Sequence, residues 1–231
     1  MMKLILILWV LILGPFAEAA PKEMTLNCCI IANPPSWLAR ESARDTVKRV
    51  QHQLGWDIRR IHVFFYSDER SFSSEQTLGF STRAFFRPKD QTVHLSTKVN
   101  EQNFSSVFGH ELVHVIFFQK YQKAIPRWLE EGLANFIGGE EKVDYGWLAK
   151  QPLGDVTTLI HPNSDSSGSR YHYQASTAAA EMIADRCRMN DLLMLSVGKR
   201  LEDYLSTFCK IPDVNAAFRT WVLEKGSSKA K

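Results

Sequence analysis

Two histidines one helical turn apart are the chain's clearest chemical signal. His110 and His114 stand at positions i and i+4, so on a helix both imidazoles lie on one face and can reach one metal ion. Glu111 is rotated about 100° from His110, which places a carboxylate beside that metal. A carboxylate there can accept a proton from an attacking water molecule. The pattern therefore indicates a catalytic metal site, with zinc as the expected ion.

A third ligand is expected near the two histidines. A catalytic zinc ion usually has three protein ligands and keeps one position for water. The segment that begins at Pro126 offers two adjacent carboxylates, Glu130 and Glu131. Neighbouring residues on a helix point about 100° apart, so only one of the two can face the metal. The spacing alone leaves the choice open.

The alternative is that His110 and His114 are ordinary, partly buried helix residues. The surrounding sequence argues against it. Apolar residues recur at helical spacing from Phe104 to Phe118 and cover more than one face. Such a helix is buried, and buried polar groups need partners. Metal ligation would supply them.

The segment from Phe108 to Phe136 resembles the gluzincin metallopeptidases, most closely the small peptidase MA-like proteins. Its His-Glu-x-x-His helix is followed by Pro-x-Trp-x-x-Glu-Gly-x-Ala. The resemblance implies one zinc ion (Zn²⁺) per chain and hydrolysis of peptide bonds. It also implies that Glu131, the glutamate before the glycine, is the third ligand rather than Glu130.

Two further roles come from the resemblance. Asn135 lies one turn beyond Glu131, where related enzymes often carry an acid that holds a ligating imidazole. Its amide oxygen could accept the same hydrogen bond without a charge. Tyr173 is the candidate for stabilising the oxyanion of a tetrahedral intermediate, ahead of His172 and Tyr171. Packing of these aromatic residues is the alternative.

The predicted fold is α+β. A small mixed sheet has an edge strand packed on the zinc-binding helix, and a mostly helical C-terminal subdomain follows. The resemblance implies that an extended peptide pairs with this edge strand. His94 falls in this strand region and is expected to be structural or solvent-facing rather than catalytic. Besides the two helices of the metal site, the sequence predicts strands at 61–66, 80–86 and 92–96, helices at 37–54, 175–188, 191–208 and 213–225, and a turn-rich loop at 159–170.

The first nineteen residues are predicted to be an export signal. Lys3 precedes an apolar run, and Ala17-Glu18-Ala19 fits the small-x-small cleavage rule. That run is about half of the roughly twenty residues that span a bilayer core, so no stable membrane anchor is expected after cleavage. The mature chain is expected to be periplasmic or secreted. One metallopeptidase domain is predicted at 20–225 and a disordered tail at 226–231.

Four cysteines in an exported chain suggest disulfides. The neighbours Cys28 and Cys29 rarely bridge to each other, because their Cβ vectors diverge. Cys187 and Cys209 lie in two C-terminal helical segments and are expected to pair. Free, buried thiols are the alternative.

The partner is expected to be a peptide or protein substrate. The net charge of +3 is small, and no basic stripe interleaved with aromatic residues suggests nucleic-acid binding. An endopeptidase is favoured over an aminopeptidase, because residues 79–84 lack the Gly-x-Met-Glu-Asn element with which related aminopeptidases bind a free amine. The alternatives are a catalytically weak or inactive zinc-bearing peptide-binding module, which the amide of Asn135 favours, and an interaction protein without metal.

Overall fold

The structure, a computed structural model, describes residues 23–76, 82–139, 142–159 and 166–228. The expected export signal and residues 229–231 of the expected tail lie outside these ranges. Among the described residues, no helix is both long enough and apolar enough to cross a membrane.

A five-stranded mixed sheet forms one layer of the fold. Its strands are β1 (Glu23–Thr25), β2 (Cys29–Ala32), β3 (Ile61–Phe65), β4 (Ala84–Arg87) and β5 (Thr92–Leu95), in the order β1-β2-β3-β5-β4. The inner strands β2, β3 and β5 are parallel, and the strands at both edges pair antiparallel to their neighbours. This confirms the mixed sheet that the sequence predicts.

Alternate residues of the sheet face the helices. Val63 in β3 is fully buried and pairs with Val93 in β5, and Val93 pairs with Phe86 in β4. Because side chains that pair directly across strands share a face, Phe86 lies on the side of the sheet that packs against the helices. The strand before the metal helix in sequence, β5, is interior, and β4 is the edge strand that contacts that helix. His94, in β5, is therefore not on the edge. It is buried, which supports the structural role and excludes the solvent-facing one.

Helices make up most of the remaining chain. They are α1 (Arg40–Leu54), α2 (Glu69–Ser74), α3 (Phe104–Ile116), α4 (Arg127–Gly138), α5 (Tyr145–Leu148), α6 (Ser166–Arg186), α7 (Met189–Leu195), α8 (Leu201–Thr207) and α9 (Val214–Ser228). A π-helical turn (Phe117–Tyr121) and a 3₁₀ turn (Gln122–Ala124) connect α3 to α4. The predicted α+β class, with a helical C-terminal part, is confirmed.

The C-terminal helices differ from the sequence prediction in three places. Helix α6 begins at Ser166, so the predicted loop through residue 170 is wrong in its last part; Arg170 is held by an ion pair to Asp144. The single helix predicted at 191–208 is split into α7 and α8, and Gly198 between them has a φ of 72°, a left-handed conformation that ends a helix. Residues 226–228 of the expected tail are helical, and the helix passes so close to α5 that a Cβ on Gly226 would lie 3.1 Å from the carbonyl oxygen of Tyr145.

The predicted disulfide is present. Cys187 and Cys209 are bonded, with their Cα atoms 5.0 Å apart. Cys187 directly follows α6, and Cys209 lies just beyond α8, so the bond fastens the ends of these two helices together. Cys28 and Cys29 are free, buried thiols.

Candidate metal centre

Three side chains from α3 and α4 converge on one point. His110 Nε2 lies 3.1 Å from His114 Nε2, and Glu131 Oε2 lies 3.9 Å and 3.8 Å from these two nitrogens. A point equidistant from the three atoms is about 2.1 Å from each, which is the length of a zinc–nitrogen or zinc–oxygen bond. This His–His–Glu group could therefore hold a metal ion, and it is the set that the sequence predicts.

Glu130 contacts the site in a different role. Its Oε1 lies 2.8 Å from His114 Nδ1, the ring nitrogen that faces away from the converging atoms. A carboxylate at this position fixes the tautomer and the orientation of a ligating imidazole and makes it more basic. From the sequence, Glu130 is expected only as an alternative ligand to Glu131. The two consecutive acids were the signal. One of them can ligate the metal on the Nε2 side of His114 while its neighbour hydrogen-bonds to Nδ1.

Asn135 does not accept the expected hydrogen bond from a ligating imidazole. Its amide nitrogen donates to Thr177 Oγ1 at 3.1 Å, and Thr177 in turn donates to the carbonyl of Tyr173 at 2.7 Å. The side-chain oxygen of Asn135 is buried and has no hydrogen-bond partner within the described part of the chain. Asn135 therefore links α4 to α6, and the carboxylate that lies beside the His114 imidazole is that of Glu130.

The site concentrates negative charge around His114. Glu111 and Glu131 are only 5% and 3% exposed, and buried carboxylates need compensation. Burial of the imidazole opposes its protonation, but Glu131, Glu130 and Glu111 outweigh that effect and raise the pKa of His114 to about 9 in the metal-free protein. A cation bound between these groups would replace the proton as their counter-charge.

Glycines allow the helices that carry the ligands to approach closely. A Cβ on Gly138 in α4 would lie 2.8 Å from the backbone nitrogen of His110, and one on Gly109 would lie 3.1 Å from the Gly138 carbonyl. A Cβ on Gly132, next to Glu131, would overlap the carbonyl of Ser176 in α6. A larger residue at any of these positions would separate the ligands.

Arg49 in α1 fastens the same helices from the other side. Its guanidinium donates to the carbonyl oxygens of Ile137 and Gly138 at the end of α4 and to that of Ser105 in α3. The carbonyls of Ile137 and Gly138 are among those that the C-terminal end of a helix leaves without internal partners. Gly139 then ends α4 in the left-handed conformation.

The connection between the ligand helices is tight, as expected. Ile116 is the last α-helical residue of α3, and the following π-turn widens the helix by one residue before the chain reverses. Tyr121 is buried at the end of this turn, and its hydroxyl donates to the carbonyl of Leu54. The turn therefore anchors the end of α3 to α1.

The three aromatic candidates lie on α6, which packs against α4. Tyr173 is half-buried, and its ring lies edge-on to that of His172, with centroids 5.6 Å apart. The hydroxyl of Tyr171 accepts a hydrogen bond from the backbone of Gly154 and so has a structural task. The oxyanion role of Tyr173 stays a prediction.

Comparison with known proteins adds no further assignment. No protein-family model, curated protein or solved structure matches this chain. The function is therefore inferred from the geometry and chemistry of the site.

Proposed function

We propose that this chain is an exported, zinc-dependent metallopeptidase of gluzincin type that cleaves within peptide chains. The observation that carries the proposal is the convergence of His110, His114 and Glu131, with separations of 3.1–3.9 Å, beside the buried carboxylate of Glu111. A purely structural metal site would need the three ligands but not the carboxylate of Glu111.

The donor set favours zinc. Two imidazole nitrogens and one carboxylate oxygen are a common ligand set of catalytic zinc, and three protein ligands leave one position open. The same set binds iron in some oxygenases. Glu111 favours hydrolysis, because a second carboxylate that is not a ligand provides the general base that hydrolysis requires.

When bound, zinc supplies a Lewis acid that lowers the pKa of water and polarises the scissile carbonyl. Glu111 accepts the proton of the attacking water and delivers it to the leaving amine. Glu130 holds the His114 ring in orientation through Nδ1. The hydroxyl of Tyr173 donates to the oxyanion of the tetrahedral intermediate.

Substrate recognition is assigned to the edge strand β4. Within the described ranges β4 pairs on one side only, so its other edge can offer backbone groups to an extended peptide, as in other cases of strand addition. The strand contacts α3, which carries both ligating histidines, so a peptide paired with β4 would run past the metal centre.

Export to the periplasm or the cell exterior is part of the proposal. It is supported by the apolar N-terminal run with its Ala17-Glu18-Ala19 motif and by the disulfide between Cys187 and Cys209. The partner is then a peptide or protein outside the cytoplasm.

The second candidate is a zinc-bearing module that binds peptides with little turnover. It was favoured by the amide at Asn135, which lacks the charge that strengthens a ligating imidazole. Glu130 weakens that reason, because it supplies a carboxylate to His114 at 2.8 Å. The buried Glu111 also favours the enzyme.

The test compares wild-type mature protein with Glu111→Gln on a diverse peptide mixture, with zinc measured in both. Glutamine keeps the size of glutamate but cannot accept the proton. General-base catalysis contributes about 10²–10⁴-fold, so hydrolysis should fall by that factor while zinc content is unchanged. Equal turnover by the two proteins would refute the mechanism. Zinc binding and peptide binding without turnover in either would establish the second candidate.

A further inference from the structure

Phe118 is an exposed aromatic residue next to the metal centre. Its side chain is 41% exposed, whereas the adjacent Phe117 is buried. Phe118 follows His114 by four residues, as His114 follows His110. Residues at this spacing lie one turn apart on one face of a helix, so Phe118 continues the row of the two metal ligands.

Phe118 is the second residue of the π-turn from Phe117 to Tyr121. Because four residues of an α-helix rotate by about 400°, Phe118 lies within about 40° of the direction of His114. π-turns inside helices often occur at functional sites, and this one directly follows the segment that carries the ligands.

Phe118 contacts the edge strand through a second phenylalanine. The rings of Phe118 and Phe86 meet edge to face, with centroids 5.7 Å apart. Phe86 is half-buried and lies on the face of β4 that packs against the helices. The two rings, here called the Phe86–Phe118 pair, therefore form an apolar surface between the open strand and the ligand helix.

An added strand would present side chains to this surface. Within the described ranges β4 pairs only with β5, which leaves its other edge for an extended peptide. Successive side chains of a strand point to opposite faces, so every second side chain of that peptide would point to the side of α3. One of them would lie against the Phe86–Phe118 pair.

We infer that the Phe86–Phe118 pair is a specificity subsite beside the metal centre, and that it selects extended peptides with a large apolar side chain at that position. The inference rests on the proposed function for the placement of the substrate. Two phenylalanine rings offer no hydrogen-bond partner, so a charged or polar side chain would lose hydration there without compensation. Burial of a large apolar side chain should favour binding by about ten- to a hundredfold over alanine.

The experiment measures binding separately from turnover. Two dye-labelled heptapeptides, identical except for a central Phe or Ala, are titrated by fluorescence anisotropy into the zinc-loaded Glu111→Gln protein. The Phe peptide should bind about ten- to a hundredfold more tightly. Phe118→Ala in the same background should reduce this ratio to within about twofold, and Phe86→Ala should reduce it partly.

Phe136 provides a matched control. It is the same residue type with the same 41% exposure, but it is five residues beyond Glu131 on α4 and so points about 140° away from that ligand. Phe136→Ala should leave the Phe-to-Ala ratio unchanged. A parent ratio near one, a ratio that survives Phe118→Ala, or no binding of either peptide would overturn the inference.

Wild-type cleavage of the same two peptides separates this inference from the proposed function. Cleavage of the Phe peptide within one residue of the phenylalanine, with slow cleavage of the Ala peptide, supports both. Selective binding without cleavage supports the subsite and counts against the enzyme. Cleavage of both peptides at equal rates overturns the subsite alone. Self-association that Phe118→Ala abolishes, measured by sedimentation without peptide selectivity, would assign the surface to a second copy of the chain and overturn the inference.

Discussion

At the metal centre, His114 is surrounded by carboxylates, whereas His94, in the middle of the sheet, is surrounded by hydroxyl groups and aromatic rings. Glu131, Glu130 and Glu111 raise the pKa of His114 to about 9 against the effect of burial. Burial, and to a lesser extent the nearby Arg87, lower the pKa of His94 to about 4. One environment favours a positive charge and the other excludes it.

The hydrogen bonds of the two histidines agree with this difference. The Nδ1 of His114 faces a carboxylate, which favours a ring whose other nitrogen is available to a cation. Both ring nitrogens of His94 are occupied, Nδ1 by the Tyr66 hydroxyl at 2.8 Å and Nε2 by the Thr92 hydroxyl at 2.7 Å. A buried histidine is thus a ligand candidate when a nitrogen remains directed at other donors, and a structural residue when both nitrogens are satisfied.

The largest effect on zinc affinity is expected when His114 is replaced, and none is expected when His94 is replaced. His114→Ala should lower zinc affinity by a factor on the order of 10³, since one of three protein ligands is lost. His94→Gln should leave zinc affinity unchanged. Competition titration with a chromogenic chelator measures both. Zinc loss on His94→Gln together with retention on His114→Ala would reverse the assignment of the two sites.

The next effect concerns the oxyanion. If the Tyr173 hydroxyl stabilises it, Tyr173→Phe should reduce kcat by about 10–10³-fold with zinc content unchanged. Tyr171→Phe is the control, because the hydroxyl of Tyr171 already accepts a backbone hydrogen bond from Gly154. Steady-state kinetics on one peptide give the values for both. A larger loss from Tyr171→Phe would move the oxyanion role to that residue or refute it for both.

A smaller effect is expected from the residue that orients His114. Glu130→Ala should weaken zinc binding by about 10–100-fold while the site still fills at stoichiometric zinc, because Glu130 supports a ligand but is not one. Arg127→Ala should change affinity by less than about twofold. Its guanidinium contacts Glu130 at 3.3 Å but is 64% exposed, and exposed ion pairs contribute little. Complete zinc loss in Glu130→Ala with retention in Glu131→Ala would exchange the roles of the two glutamates.

The sequence predicts some features of the metal centre but not others. Helical periodicity puts His110 and His114 on one face, so these two ligands were predictable. The spacing left Glu130 and Glu131 open as the third ligand, and the resemblance to gluzincins favoured Glu131. The partners of the imidazoles were less predictable. Whether Glu130 or Asn135 reaches an imidazole depends on side-chain directions that tertiary packing sets, here the close approach at Gly132.

The fold shows the same limit. The strands β3, β4 and β5 and the helices of the metal site follow from periodicity, whereas β1 and β2 were not predicted. The start of α6 at Ser166 did not follow, since the serine-rich segment has the composition of a loop. Residues of α6 such as Ala175 and Ala179 are buried, and α6 packs against α4; such tertiary contacts override local preference.

The last prediction tests the sheet histidine through the pH dependence of stability. The pKa of His94 is about 4 in the folded protein and about 6.5 in an unfolded chain, so between these values the unfolded state binds more protons. The contribution of His94 to the free energy of unfolding should therefore be constant above about pH 6.5. It should fall as the pH decreases toward 4, by at most about 3 kcal/mol. The charged groups that face His94 are Arg87, which adds to the depression, and Glu75 and Asp90, which oppose it.

Urea unfolding of wild type and His94→Gln at pH 7.5, 6 and 5 isolates this contribution. Both proteins also carry the carboxylates and histidines of the metal centre, so the pH dependence of those groups cancels in the difference between the two. Wild type should be the more stable at pH 7.5, because Tyr66 and Thr92 both bond to His94, and its advantage should shrink as the pH falls. A difference that stays constant from pH 7.5 to 5 would mean that His94 is protonated in the folded sheet as readily as in the unfolded chain, and the contrast with His114 would then fail.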